Sequence, residues 1–331
     1  NANNLSLNGE PVNVPLHFSS NRNDSASYKL AYIYSKNWSA NNNFFNYRSY
    51  HNKSNVAAAQ FSPVQKDKSV KEEVAANAVD EKGRIYDQYR RTISYDHIPS
   101  ITYFPKATAN LVSVAVQTLG KRIGYIVGAG DKVPEALEQM GYEVVLLTDK
   151  ELARNNLQQY DAIITGVRAY NTDLWLNNYY DKLMQYVEQG GNLIVQYNTN
   201  NNLGPVKAKI GPYDFTIANK RITDENAAVT FLLPDHPVLN FPNKITADDF
   251  KGWIQERSIY HAVDLDKAFA SVLSMQDKGE APETGSLVTA KYGKGFFTYT
   301  GLVFFRELPA GVPGAYRLMA NLIALNQKKA F

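Results

Sequence analysis

The chain has 331 residues, 44% hydrophobic and 20% charged, a composition that fits a soluble globular protein with enough length for two separate cores. Lys+Arg 35 against Asp+Glu 32 leaves a net charge of +3, too balanced to argue for a nucleic-acid or anionic-membrane partner. With no cysteine, the sequence excludes disulfides, thiolate metal sites and a cysteine nucleophile.

No apolar run approaches the roughly 18 residues of a membrane span, so no membrane insertion is expected. The opening NANNLSLNGE has neither the basic nor the apolar region of a signal peptide, so the chain reads as a mature protein or a fragment beginning in a linker. Twenty-two tyrosines and an Asn-rich first fifty residues point to an extracytoplasmic location, periplasm or cell surface.

Residues 10–118 show period-2 alternation. Val12, Val14, Leu16 and Phe18 share one strand face, and Tyr28, Leu30, Tyr32 and Tyr34 share another. Phe44 to Tyr50 reads as extended. Val70 to Val79 leads through Asp80-Glu81-Lys82-Gly83 into Ile85 to Tyr95, which predicts a hairpin. Alanine and glutamate leave a helix over residues 70–79 as the alternative. Tyr95-Asp96-His97-Ile98-Pro99 reads as the exit of a late strand, and residues 109–116 as the last strand. Residues 1–118 are therefore expected to form an immunoglobulin-like β-sandwich. Asp24-Ser25-Ala26 matches a short bacterial O-glycosylation pattern.

From residue 121 the pattern becomes strand, helix, strand. The apolar run 123–127 meets the turn Gly128-Ala129-Gly130-Asp131. Pro134 opens an amphipathic segment, Gly141 stops it, and residues 144–147 form a second apolar run. That is a parallel crossover. Further elements follow: a helical segment over 149–159, a buried strand over 162–166 and a long amphipathic helix over 174–188 stopped by Gly190-Gly191. A strand over 193–197, an irregular lobe over 204–250 and late strands over 259–262 and 270–275 come next. A terminal hairpin around Gly293-Lys294-Gly295 and a closing helix over 316–325 complete the chain. The expected fold of 121–331 is α/β, a doubly wound, flavodoxin-like parallel sheet.

In such sheets ligands sit beyond the carboxyl ends of the strands. Those ends carry Asp131, then Arg168, Tyr170 and Asn171, then Tyr197, Asn198, Thr199 and Asn200, then Arg306 and Glu307. This polar and aromatic rim suits sugars or carboxylates. The Gly128-Ala129-Gly130 turn lacks the third glycine of a dinucleotide loop, and Asp131 repels phosphate, so no nucleotide cofactor is expected. His17, His51, His97, His236 and His261 show no metal-ligand spacing, and no metal site is expected. His236, in Pro234-Asp235-His236-Pro237, reads as a structural turn residue. Glu256 and Arg257, beside Trp253, are read as facing opposite sides of a strand, with a structural salt bridge favoured over catalysis. No nucleophile elbow, P-loop or paired-carboxylate spacing appears, so no catalytic residue is assigned.

Ile123 to Val127, Asp161-Ala162-Ile163-Ile164-Thr165-Gly166, Gly190-Gly191-Asn192-Leu193-Ile194-Val195, Asp235-His236-Pro237-Val238 and Gly293-Lys294-Gly295 together resemble the class I glutamine-amidotransferase-like fold, especially its ThuA-like branch. The resemblance implies a cysteine elbow where Tyr197 stands, so amidotransferase activity does not carry over. The order of a β-sandwich, Tyr95-Asp96-His97-Ile98-Pro99, Gly124-Tyr125-Ile126-Val127-Gly128-Ala129-Gly130-Asp131, Gln139-Met140-Gly141-Tyr142 and Gly252-Trp253-Ile254-Gln255-Glu256-Arg257 resembles the C-terminal half of large PIG-L-type (LmbE-like) deacetylases of Bacteroidetes-type bacteria. That resemblance implies an N-acetyl-sugar deacetylase domain as partner in the same parent chain. Its zinc motif, His-Pro-Asp-Asp, is absent here, since the only His-Pro, His236-Pro237, precedes valine. The resulting expectation is a non-catalytic accessory region with a carbohydrate ligand. The alternatives are a ThuA-like sugar-active enzyme using His236 or Glu256 as acid or base, and a purely structural or interaction module.

Overall fold

The computed structural model describes residues 4–20, 25–51, 53–200, 206 and 209–327. The chain forms two compact units, Asn1–Ala115 and Val116–Phe331. Asp24 of the glycosylation pattern, residues 201 and 202 that follow the rim residue Asn200, and residues 204, 205, 207 and 208 of the lobe expected over 204–250 lie outside the described residues.

The first unit is a β-sandwich. One sheet has the order Asn4–Leu7, Thr108–Val114, Val70–Asp80, Ala26–Ile33, Phe44–Ser49, with Ile85–Tyr86 paired to Val70–Asp80. The other has Val12–Ser19, Ser54–Pro63 and Trp38–Ala40. Their alternating inward residues meet in one cluster: Val14, Trp38, Ala59 and Phe61 from the smaller sheet, Tyr32, Val74 and Leu111 from the larger. The Tyr32 hydroxyl donates to the Val14 carbonyl at 2.7 Å, which satisfies a buried polar tip and ties the sheets together. Burial pushes that phenol up to about 12.

Two expectations need correction here, and one alternative, the helix over 70–79, falls away. Residues 4–7, read as linker, form a strand parallel to Thr108–Val114. Val70–Asp80 is a strand and not a helix, because it is paired on both sides, and tertiary pairing outweighs the helix propensity of its alanines and glutamates. Asp80 Oδ1 closes its turn by accepting from the Lys82 and Arg84 backbone N–H groups at 2.9 Å each. A strand does end at Tyr95, but Ile98-Pro99 opens another, so Asp96-His97 is the tip of a separate hairpin, Arg91–Tyr95 with Ile98–Tyr103, where Tyr95 stacks on His97.

The second unit is a mixed α/β domain on a 7-stranded sheet. Its order is Glu143–Leu146, Arg122–Ile126, Ala162–Thr165, Asn192–Gln196, Gly295–Thr300, Leu287–Tyr292, Phe269–Ser271. The first five strands run parallel; the last two pairings are antiparallel, so that Leu287–Tyr292 alone runs against the others. The first crossover helix is Val133–Gln139, with Pro134 in its first turn and Val133, Ala136 and Leu137 buried. Ala162–Thr165 and Asn192–Gln196 are buried at every position, as central parallel strands must be.

Helices cover both sheet faces. Asn192 donates its side-chain amide to the carbonyls of Leu322 and Ile323, at 2.7 and 3.0 Å, at the C-terminal end of the helix Pro313–Ile323. Leu193 and Val195 alternate to the other face and join Tyr186 and Val187 of the helix Tyr180–Glu188. The expected helix over 174–188 is interrupted: Leu174–Tyr179 is a 3₁₀ segment before Tyr180–Glu188. The segment 149–159 likewise splits into helix Asp149–Arg154 and 3₁₀ turn Leu157–Gln159. The lobe expected to be irregular contains Thr216–Ile222, paired with Ser258–Val263, and Val229–Phe231, paired with Leu273–Met275. Among the described residues no helix is long and apolar enough to cross a membrane.

Candidate ligand site at the carboxyl edge of the sheet

Because Arg122–Ile126, Ala162–Thr165, Asn192–Gln196 and Gly295–Thr300 are parallel, the loops after them share one edge. The loop after the first is filled by the protein itself. A Cβ on Gly128 would lie 2.2 Å from the Val167 carbonyl oxygen, so that glycine permits approach to the chain's own backbone. Asp131 accepts the Val133 N–H at 3.0 Å and the Val167 N–H at 3.1 Å. It also accepts the Tyr125 hydroxyl at 2.7 and 2.8 Å, which in turn takes a bond from the Gln196 amide at 3.0 Å. Burial, then the Asp131 charge, hold the Tyr125 phenol well above its ordinary range. Asp131 is thus a turn brace whose carboxylate is occupied, which removes it from the candidate ligand contacts.

Tyr170, Asn171 and Asn198 are braces as well. Tyr170 is buried in the core, and burial raises its phenol strongly. Asn198 has no exposed surface: its Oδ1 accepts the Tyr170 N–H at 2.9 Å and its Nδ2 donates to the Gln196 carbonyl at 3.1 Å. Asn171 exchanges two bonds of 2.8 Å with the Thr199 backbone. These polar side chains weld neighbouring loops together and leave little to offer a ligand. His236 stands elsewhere. It caps Pro237–Asn240, its Nδ1 accepting from the Val238 N–H at 3.2 Å, and its Nε2 lies 3.1 Å from Thr289 Oγ1, in mid-strand of Leu287–Tyr292.

The remaining four, Arg168, Tyr197, Glu256 and Arg306, converge. Tyr197 stacks on Tyr260 with centroids 5.6 Å apart and planes at 13°, and leans on Phe305 at 5.4 Å. All three rings are partly exposed. Among the described residues neither the Tyr197 nor the Tyr260 hydroxyl has a hydrogen-bond partner. Arg306 lies over the Phe305 ring at 4.9 Å and pairs with Glu256 at 3.2 Å. Arg221 grips the other Glu256 oxygen at 2.6 Å, and Gln255 accepts from Arg306. The Glu256 side chain is only 4% exposed, so two guanidinium groups compensate one buried carboxylate. Burial raises the Tyr197 phenol, and the fields of Arg168 and Arg306 oppose that rise.

Glu256 and Arg257 are not on a strand: the strand begins at Ser258. Arg257 turns inward to the carbonyls of Ala227, at 3.0 and 3.2 Å, and Phe250, while Glu256 bridges Arg221 and Arg306. The pairing expected of Glu256 is therefore structural and made with residues far away in sequence. Glu256 and His236 are held by separate partners on separate elements and form no acid–base pair.

Backbone strain gathers at the same place. Among the described residues five non-glycine residues have positive φ: Asn8, Arg168, Gln255, Tyr260 and Asp264. Three of them, Arg168 (+61°), Gln255 (+68°) and Tyr260 (+54°), border Tyr197 or the Glu256 clamp. Each costs about 1 kcal/mol in the left-handed region, and such strain concentrates at functional sites. Arg168 is held there by its N–H, which donates to the Tyr197 carbonyl at 2.8 Å. Sequence reading missed Tyr260, Phe305 and Arg221; no spacing signal links them to Tyr197, since each arrives on a different element: the strand Ser258–Val263, the short helix Phe304–Glu307 and the strand Thr216–Ile222.

Close by lies a buried trio. Ser258 Oγ is 2.8 Å from His261 Nε2, and His261 Nδ1 is 4.0 Å from Glu283. The order serine, histidine, carboxylate suggests nucleophile activation, but Ser258 and His261 have no exposed surface for a substrate to reach. Burial pushes His261 down to about 4; Glu283 raises it and Lys220, bonded to Glu283 at 2.6 Å, lowers it. Among the described residues no three His, Asp or Glu groups gather to hold a metal ion.

No family model and no curated protein sequence matches this chain. Solved structures do. A cold-adapted β-galactosidase from Rahnella sp. R3 is 17% identical, with TM-score 0.39 over 65% of this chain and 32% of its own. A protein from Thermoplasma acidophilum, described as a proposed GMP synthase subunit, is 12% identical, with TM-score 0.39 over 64% of this chain and 96% of its own. An exo-β-1,4-mannosidase from Opitutaceae bacterium strain TAV5 is 14% identical, with TM-score 0.36 over 62% of this chain and 35% of its own. The chain thus spans about a third of the length of these two glycosidases. At these identities and TM-scores the likeness carries no statement about activity.

Proposed function

We propose that this chain is a non-catalytic accessory region that binds carbohydrate at the carboxyl edge of its α/β unit. The observation that carries the reading is the Tyr197–Tyr260–Phe305 cluster, rimmed by Arg168, Arg306 and Glu256. Partly exposed aromatic rings offer a flat apolar face to the C–H face of a sugar ring, while free phenols and guanidinium groups serve its hydroxyls. In this reading the second unit is a glutamine-amidotransferase-like domain, nearest the ThuA-like branch, with a tyrosine in place of the nucleophile. The first unit is an immunoglobulin-like sandwich. The two accompany a PIG-L-type deacetylase domain of the same parent chain, outside the cytoplasm of a bacterium.

The test is a glycan array with the purified chain. Binding is expected, and Tyr197→Ala or Tyr260→Ala should each weaken it about tenfold or more, the loss typical of an aromatic anchor. Retained affinity in both variants would refute the site. Zinc-dependent deacetylation of N-acetylglucosamine oligomers by the purified chain would refute the non-catalytic role.

A further inference from the structure

We infer that the carbohydrate bound at the Tyr197 ledge carries an anionic group, a uronate carboxylate or a sulfate ester, and that Arg168 receives it. The inference rests on the carbohydrate reading above and adds the chemical class of the ligand.

Three guanidinium groups and one carboxylate make up the charged part of the site: Arg168, Arg221, Arg306 and Glu256. Arg221 and Arg306 share Glu256 between them. Arg168 is exposed, and among the described residues its guanidinium has no carboxylate or hydrogen-bond partner. Nor does its side chain cap the short helix Ala169–Thr172 that it precedes. Among the described residues, then, nothing uses this side chain.

Its position is nevertheless held tightly. Arg168 adopts φ +61°, a conformation that glycine or asparagine takes at lower cost than a long side chain. The bond from its N–H to the Tyr197 carbonyl anchors the base of the side chain beside the aromatic ledge. The cation is close enough for its field to act on the Tyr197 phenol. A guanidinium presents two parallel N–H donors that match the two oxygens of a carboxylate or sulfate, and it gives up its hydration more readily than an ammonium. A neutral sugar has no group that uses this fork fully. A sugar stacked on Tyr197 or Tyr260 with an acidic substituent on its edge fills both halves of the site.

The experiment compares the purified chain on paired oligosaccharides by calorimetry: uronic-acid oligomers against their methyl esters, and sulfated oligomers against their desulfated forms. The expected result is an acidic preference of about tenfold in one of the two pairs, which identifies carboxylate or sulfate as the source of the charge. The preference should shrink on raising salt from roughly 0.05 to 0.5 M. In Arg168→Gln the acidic-to-neutral ratio should fall towards one, with Arg168→Lys intermediate and Lys294→Gln, in the turn at the opposite, amino end of the strand Gly295–Thr300, unchanged. Matching melting curves establish that the variants fold. Equal affinity for acidic and neutral members overturns the inference and leaves the carbohydrate reading standing. An acidic preference that survives Arg168→Gln overturns the assignment to Arg168. Absence of binding to any member overturns the carbohydrate reading and, with it, the inference.

Discussion

His261 should make the α/β unit sensitive to mild acid. The imidazole has no exposed surface, its Nδ1 makes no hydrogen bond, and its nearest carboxylate, Glu283, is neutralised by Lys220 at 2.6 Å. Burial therefore dominates and pushes the group from 6.5 down to about 4. A depressed base binds its proton in the unfolded chain first. Its stabilising contribution is complete above pH ~6.5 and is lost progressively as pH falls towards ~4. A shift of this size corresponds to about 3 kcal/mol across that window, a substantial part of a typical domain stability of about 5–15 kcal/mol. Urea unfolding at pH 7.5, 6.0 and 4.5, for the natural chain and His261→Gln, isolates the effect from ordinary carboxylate titration. The substitution lowers stability at pH 7.5, and the stability difference between the two proteins should move in the variant's favour by about 2–3 kcal/mol between pH 7.5 and 4.5. An independent check is the NMR titration of the His261 ring protons, which should show no protonation above pH ~5. A difference between the two proteins that stays constant with pH, or a ring that titrates near 6.5, refutes the reasoning.

Glu256→Gln leaves Arg221 and Arg306 facing each other without their shared carboxylate. The loss should be about 1–2 kcal/mol by thermal melting, discounted from the cost of breaking a fully buried pair because both guanidinium groups are partly exposed. The opening turn supplies a paired test by the same measurement. Gly128→Ala drives a Cβ against the Val167 carbonyl and should cost about 1–3 kcal/mol or more. Gly130→Ala meets open space but keeps φ +99°, and should cost about 1 kcal/mol.

Legibility in the sequence followed distance along the chain. The crossover through Val133–Gln139 was readable because its signals, Pro134 and Gly141, sit within or just past the element they delimit. The Val70–Asp80 hairpin was readable through its Asp80 turn, although its second arm proved to be only Ile85–Tyr86. Misreadings arose where a partner decided the outcome. Asn4–Leu7 became a strand because Thr108–Val114 offered it an edge. The polar rim residues illustrate the same limit. Asn171 and Asn198 look like ligand groups by type and position, yet each is consumed by a neighbouring loop that the sequence does not show to be adjacent.

By itself the sequence determined the two-part organisation, the change from period-2 to alternating strand and helix, and the absence of cysteine chemistry, because composition and periodicity are properties of contiguous residues. The tertiary structure alone decided which rim residues meet. Arg168, Tyr197, Tyr260 and Phe305 belong to four separate segments, and they gather because strand order brings those segments to one edge. Strand order depends on pairing between distant apolar runs, which no local pattern encodes.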